Sequence, residues 1–193
     1  MMLTNRQEQI IKEAINLIDE KGIQGLTIKN LSKAIGISEP GIYRHFESKF
    51  HILAEILDEF KNNTQKFNQQ LMQSNLNSLQ KIEKIYQTHF DLFIKNPAII
   101  SVIFAEEIFN NDKTLYKKNN EILQANENLI SQIIEEGQNA GEIKSEIDKK
   151  QIATILMGSL RLLVKKWKQS LYSYNLIYEG EKLLESIKIL IIK

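Results

Sequence analysis

Between Ser38 and Lys49, hydroxyl, cationic and aromatic side chains gather around a Pro-Gly pair. Ser38, Glu39, Pro40 and Gly41 come first, Tyr43, Arg44 and His45 follow, and Lys49 closes the group. Phenol, guanidinium, imidazole and ammonium groups so close together suit the phosphates flanking a DNA groove. A slim helix tip ahead of them can approach base edges in the major groove. Pro40 would sit in a first helical turn, where its missing N–H costs nothing and its fixed φ is already helical. Gly41 costs about 1 kcal/mol against Ala in a helix, yet it offers no bulk to collide with DNA.

Other chemistries are poorly served. The chain has no cysteine, so thiolate nucleophiles, thiolate metal sites and disulfides are excluded. Its three histidines, His45, His51 and His89, have no partners at a useful motif spacing. There is no HExxH, no GxSxG and no phosphate-binding glycine loop. Glu106 and Glu107 are adjacent, so on a helix they point about 100° apart and form no dyad. The sequence predicts a protein that is not an enzyme and uses no cofactor or metal.

The elements that must position the cluster are helices. Thr4 is a natural N-cap for a helix over 4–21, with Ile10, Ile11, Ala14, Ile15 and Ile18 at helical spacing and Gly22 as its stop. Thr27 caps a short helix with Ile28, Leu31, Ala34 and Ile35 inward, and Gly36 supplies a sharp turn. Ser38 caps a third helix, residues 39–46, with Ile42 and Phe46 inward, and Ser48 a fourth, longer one. Two short helices joined by a Gly-containing turn form a helix-turn-helix pattern. The polar stretch 61–78 reads as a loop or as the exposed end of the fourth helix. Beyond it, periodicity predicts helices near 78–95, 97–109, 113–138, 148–171 and 176–192, with a break over 137–148. Only two prolines interrupt the chain, in keeping with an all-α fold.

The segment LTIKNLSKAIGISEPGIYRHFESKFHIL, which begins at Leu26, closely resembles the DNA-binding region of TetR-family transcriptional regulators. The resemblance runs through the Thr-initiated helix, the turn Ala34-Ile35-Gly36-Ile37-Ser38 and the ending Tyr43-Arg44-His45-Phe46-Glu47-Ser48-Lys49. It covers about a quarter of the chain, and the rest matches in length and helix succession. The resemblance implies an all-helical homodimer that binds a pseudo-palindromic operator and usually represses. It assigns phosphate contacts to Thr27, Lys29, Tyr43, His45 and Lys49. It puts Ser38, Glu39, Pro40, Gly41 and Arg44 nearest the bases. Gly41 stands where a small side chain such as Ala is more usual, so an apolar contact to a thymine methyl is lost.

The expected architecture is an N-terminal three-helix DNA-binding domain over 1–48, followed by a larger helical effector-binding and dimerisation domain over 49–193. Residues 49–61 form the linking helix between them. For dimerisation the apolar stripes offer Ile152, Ile155, Leu156, Ser159, Leu162 and Leu163 on one helix, with Leu184, Ile187, Leu190 and Ile191 on the last. Gly158 and Ser159 are small enough for another helix to come close. For an effector pocket the candidates are Tyr86, His89, Phe90, Phe93, Ile103, Phe104, Glu107, Ile108, Leu123, Ile130, Met157 and Leu160. They suit an apolar or amphipathic small molecule, although such stripes also serve as plain core. Formal net charge is only +1, so DNA affinity must come from local charge and from pairing two copies. A helical protein-binding adaptor is the alternative reading. Neither a signal peptide nor an apolar run long enough for a membrane span is found, which makes a cytoplasmic protein the expectation.

Overall fold

The computed structural model describes residues 3–104, 109 and 112–193. Its α-helices are α1 (Asn5–Lys21), α2 (Ile28–Ile35), α3 (Glu39–Tyr43), α4 (Lys49–Met72), α5 (Ser78–Lys95), α6 (Ala98–Ile103), α7 (Lys113–Asn139), α8 (Lys149–Gln169) and α9 (Leu176–Ile191). One 3-10 turn, Ile23–Gly25, precedes α2. Two compact units are present. One comprises Met1–Asn63 and Ala98–Glu121, the other Thr64–Pro97 and Ile122–Lys193. This division differs from the boundary drawn after residue 48, because α6 packs against α1.

In the first unit, local side-chain chemistry fixes each helix start. The Thr4 hydroxyl accepts from the Gln7 N–H, and the Gln7 side chain accepts from the Thr4 N–H at 2.9 Å, a reciprocal capping box. Thr27 caps α2 through the Asn30 N–H at 3.1 Å, and Ser38 caps α3 through the Gly41 N–H at 3.2 Å. Gly36 takes the left-handed conformation, φ +77°, which turns the chain between α2 and α3. The core contains Ile10, Ile11, Ala14, Leu17 and Ile18 of α1, Leu31 of α2, and Ile42 with Phe46. Leu53, Ile56 and Leu57 of α4 are buried with them. Three polar links hold distant segments of this unit together. The Ser101 hydroxyl donates to Asp19 at 2.7 Å, Lys118 pairs with Asp58 at 2.5 Å, and Lys61 pairs with Glu121 at 2.7 Å.

Two helices depart from expectation, and of the helix expected near 97–109 the described residues show Ala98–Ile103 followed by a turn at Phe104, with 105–108 outside them. α3 ends at Tyr43 and not at Phe46, because Arg44 and His45 form a turn whose N–H groups return to the Pro40 and Ile42 carbonyls. The stretch 61–72, open between loop and helix in the sequence, continues α4.

In the second unit, α5, α8 and α9 pack against one another. Its buried residues include Ile82, Ile85, Tyr86, Phe90 and Phe93 of α5, Ile130, Ile133 and Ile134 of α7, Ile152, Leu156 and Trp167 of α8, and Leu184 and Ile187 of α9. The closest approach is at Gly180. A Cβ there would stand 2.0 Å from a Phe90 ring carbon, so only glycine lets α9 lie against that ring. Lys81, itself buried, pairs with Glu136 at 2.8 Å. After α7, Gly141 turns the chain, and an isolated antiparallel bridge between Ile143 and Ile192 ties down the end of the chain.

Candidate nucleic-acid interface and helical core

α2, the Gly36 turn and α3 display one polar surface. Thr27, Lys29, Ser38, Glu39, Pro40, Tyr43 and Arg44 are exposed, while Gly41, His45 and Lys49 are partly so. Ile42 and Phe46, on the opposite side of the same short segment, are almost fully buried. Burial of these two apolar side chains aims the others outward. Pro40 occupies the first turn of α3, as its missing N–H requires.

Several lysines away from this surface, Lys61, Lys81, Lys118, Lys149 and Lys188, are held by carboxylates. Among the described residues, Lys29 and Arg44 have no ion-pair partner. Among the described residues, the Lys49 ammonium meets the Phe50 ring, 5.4 Å from its centroid, and has no carboxylate partner. The Thr27 and Ser38 oxygens accept helix-cap hydrogen bonds but keep their O–H groups free to donate to a phosphate oxygen. A Cβ at Gly41 would meet Ser38 Oγ at 3.4 Å and Ile37 at 3.6 Å, ordinary contact distances. The fold therefore tolerates a side chain there.

The sequence reading missed His51. Its Nδ1 accepts from the Glu47 N–H at 3.4 Å, its Nε2 stands 3.7 Å from Glu55, and its ring meets Phe46 edge-on at 5.5 Å. Together with the Ser48 cap on the His51 N–H at 3.1 Å, this sets the turn that delivers Lys49. Only the Ser48 cap was visible as a motif.

The pocket candidates fall in both units. Ile103 and Phe104 belong to the first unit. Tyr86, His89, Phe90, Phe93, Leu123, Ile130, Met157 and Leu160 belong to the second. Glu107 and Ile108 lie outside the described residues. A cavity of about 300 Å³ opens between α5 and α9, and of the candidates only Tyr86 and Phe90 line it. Phe93 and Ile130 are buried. The His89 Nδ1 donates to the Ile85 carbonyl at 2.8 Å, and burial pushes its pKa below the usual imidazole value against the effect of that bond. His89 is thus a partly buried histidine held to its own helix backbone through Nδ1.

The dimer candidates also divide. Ile152, Leu156, Leu184, Ile187 and Ile191 are buried within the chain. Ser159 and Leu163 are half-buried, and Ser159 shares a hydrogen bond with Tyr86 at 3.1 Å. The exposed members are Ile155, Leu162 and Leu190. On α8 these belong to a continuous exposed row, Gln151, Ile155, Gly158, Leu162, Lys165 and Gln169, whose spacing alternates four and three. That is the seam period of paired helices. Gly158 has open space where its Cβ would be. On α9 the exposed row is Tyr178, Lys182, Ser186 and Ile189.

Comparison with known proteins gives this geometry its context. Residues 10–56 match the model for bacterial regulatory proteins of the tetR family, and residues 50–193 match the model for the YsiA-like protein C-terminal region. The chain belongs to the TetR family. As a TetR-family protein it is an all-helical, DNA-binding transcriptional regulator. It is 26% identical over 179 residues to the fatty acid metabolism regulator protein of Bacillus subtilis (strain 168), covering 92% of this chain and 91% of the relative. Among solved structures it resembles FadR from Bacillus subtilis in complex with stearoyl-CoA, with TM-score 0.80, 24% identity and coverage of 93% of this chain and 96% of that one. It also resembles FadR from Bacillus halodurans, with TM-score 0.84, 21% identity and 97% coverage of both. Among the described residues, no helix is long and apolar enough to cross a membrane.

The Tyr86 hydroxyl donates to the Leu156 carbonyl at 2.8 Å, deep in the TetR-family core. Burial raises its pKa from 10.0 to about 12, and the Ser159 hydrogen bond only partly opposes this. The unfolded chain loses this proton near pH 10, whereas the folded chain keeps it. Stability supplied by this group is therefore complete below about pH 10 and lost as pH rises through about 12. Tyr86→Phe should cost about 1 kcal/mol at neutral pH. It should also flatten the fall in unfolding free energy across that alkaline window. Urea titrations of both proteins at several pH values check this.

Proposed function

We propose that this protein is a ligand-responsive repressor that binds a pseudo-palindromic operator as a homodimer and is released by an amphipathic effector. The observation that carries the DNA half of the reading is the set of unpaired cations and free hydroxyls on one exposed helix-turn-helix surface. In this reading Thr27, Lys29, Tyr43, His45 and Lys49 hold phosphates. Ser38, Glu39, Pro40, Gly41 and Arg44 lie nearest the bases. Tyr43→Ala or Lys49→Ala should weaken binding uniformly across sequences, and the Lys49 change should reduce the salt slope by about 1. Arg44→Ala should in addition relax sequence preference, at a cost of about 1–3 kcal/mol. Fluorescence anisotropy with the intergenic DNA beside its own gene, at several salt concentrations, reads all three. Unchanged affinity in every variant would refute the assigned surface.

The homodimer reading rests on the exposed α8 row and the exposed apolar side chains of α9. Ile155 is 46% exposed, Leu162 54% and Ile189 78%. So much apolar surface at seam spacing is better explained by a second copy than by solvent. The interface is assigned to Ile155, Gly158, Leu162, Tyr178, Ile189 and Leu190, and the buried stripe residues support these helices from behind. Leu162→Glu should convert a sedimenting dimer into monomer at micromolar concentration while the helical circular dichroism is retained.

For the effector, similarity over nearly the whole chain to a fatty acid metabolism regulator supports a long-chain acyl thioester. Phe93, Leu123, Ile130, Met157 and Leu160 supply apolar surface in the second unit suited to an acyl chain. Such an effector acts by binding the DNA-free form more tightly. Micromolar stearoyl-CoA should release operator DNA, whereas coenzyme A alone should not. Retention of DNA at saturating acyl-CoA would overturn the effector assignment and leave the DNA-binding reading intact. A cytoplasmic location follows from the proposed work on DNA.

A further inference from the structure

α8 ends in an unusual way. Its last carbonyls are closed by a Schellman motif: the Leu171 N–H donates to the Lys168 carbonyl at 3.0 Å, and the Tyr172 N–H to the Trp167 carbonyl at 2.9 Å. The residue that turns left-handed in such a motif is usually glycine. Here it is Leu171, at φ +54°, and Tyr172 follows at φ +62°. Among the described residues, these two are the only non-glycine positions with positive φ. A bulky side chain there carries backbone strain. Packing within the chain does not offset it at Leu171, which is 85% exposed. Tyr172, also exposed, sets its ring edge-on against Trp167 at 4.7 Å, and the Trp167 Nε1–H donates to the Tyr174 carbonyl at 2.9 Å. The turn thus holds a leucine out in solvent beside an anchored aromatic pair.

The charge around this turn is one-sided. From Lys149 to Tyr178 the chain carries Lys149, Lys150, Arg161, Lys165, Lys166 and Lys168, and no Asp or Glu. Lys166 and Lys168, in the last turn of α8, complement the negative end of the helix dipole. That dipole amounts to only about half a charge, so the cations exceed what it calls for. Lys165 and Lys166 are exposed and have no carboxylate partner among the described residues. An apolar tip, an aromatic pair and unpaired ammonium groups suit the boundary of an anionic bilayer. Leucine enters the acyl region, the rings lie at headgroup level, and the lysines meet lipid phosphates. DNA phosphates would use the lysines, but a strained, bare leucine adds nothing to phosphate contact.

We propose that the turn between α8 and α9, with Leu171 at its tip and Lys165 and Lys166 beside it, docks the protein on the surface of an anionic lipid bilayer. Such peripheral contact needs no membrane-crossing helix. It does not depend on the acyl-thioester reading.

Cosedimentation of the full-length protein with phosphatidylglycerol-containing vesicles, against vesicles of phosphatidylcholine alone, tests the assignment. Binding to the anionic vesicles is expected, at least about tenfold stronger than to the neutral ones. Trp167 is the only tryptophan, so lipid brominated high in its acyl chain should quench its fluorescence in the anionic vesicles. Leu171→Asn removes the apolar tip but keeps a residue that tolerates the left-handed conformation. It should preserve or raise thermal stability while weakening vesicle binding about tenfold. Replacing both Lys165 and Lys166 by Gln should weaken vesicle binding about 25-fold, roughly fivefold for each charge. Operator binding and the sedimenting dimer should be unchanged in Leu171→Asn. The proposal is overturned by no binding to anionic vesicles, by equal binding to both kinds, by unquenched Trp167 fluorescence, or by unchanged vesicle affinity in the variants. Loss of the dimer in Leu171→Asn would assign the turn to the second copy. Lowered DNA affinity with intact vesicle binding in the lysine variant would assign those lysines to DNA. Either result also overturns the proposal.

Discussion

A helix of five residues cannot hold itself together in water. Nucleating its first turn costs more than its few hydrogen bonds return. α3 is such a helix, so the structure around it depends on the burial of Ile42 and Phe46. Those two side chains fix its rotation, and rotation decides whether Tyr43 and Arg44 face outward. The Ser38 cap and the Gly36 turn set where α3 begins. The Phe46–His51 contact and the Ser48 cap set where the chain leaves it. A surface suited to phosphates is thus produced by apolar packing on its reverse side.

The second unit applies the same logic to charge. Several of its interior polar groups are satisfied in pairs, as with Tyr86 and the Leu156 carbonyl, His89 and the Ile85 carbonyl, and Lys81 and Glu136, although Ser131 Oγ and one Glu142 carboxylate oxygen are buried without a hydrogen-bond partner among the described residues. For Lys188, burial works against the charged form, but the hydrogen bonds and charges of Glu185 and Glu83 outweigh it and hold the ammonium pKa above its usual value. Satisfied groups such as these hold the helices together and are poorly placed to do chemistry. Lys29 and Arg44, which have no ion-pair partner among the described residues, are on the surface, where a ligand can supply what the chain does not.

Legibility in the sequence followed the range of the forces involved. Thr4, Thr27, Ser38 and Ser48 were readable as caps because a cap acts over three residues. α5 and α9 were readable from periodicity, and the short motif around Gly36 carried the family. What was not readable depended on residues far apart in the chain. Nothing local links Asp58 to Lys118 or Asp19 to Ser101. The α8 stripe is wide enough that one half faces inward and the other outward. Spacing alone therefore could not separate Ile152 and Leu156, which are buried, from Ile155 and Leu162, which are exposed. The close approach of α9 to α5 was hidden for the same reason, since Gly180 and Phe90 are far apart in the chain.

The first unit is built from two separated pieces of chain, with α6 and the first turns of α7 completing what α1 to α4 begin. This has a consequence for synthesis. When the ribosome has made only the first sixty or so residues, α1 still lacks the helix that covers it, and Asp19 still lacks Ser101. Folding proceeds by domains as the chain emerges, and contacts between distant segments come late. The first unit is therefore begun early but finished late. A nascent chain cannot complete it until translation has passed Glu121, by which point the Thr64–Pro97 part of the second unit has already been made.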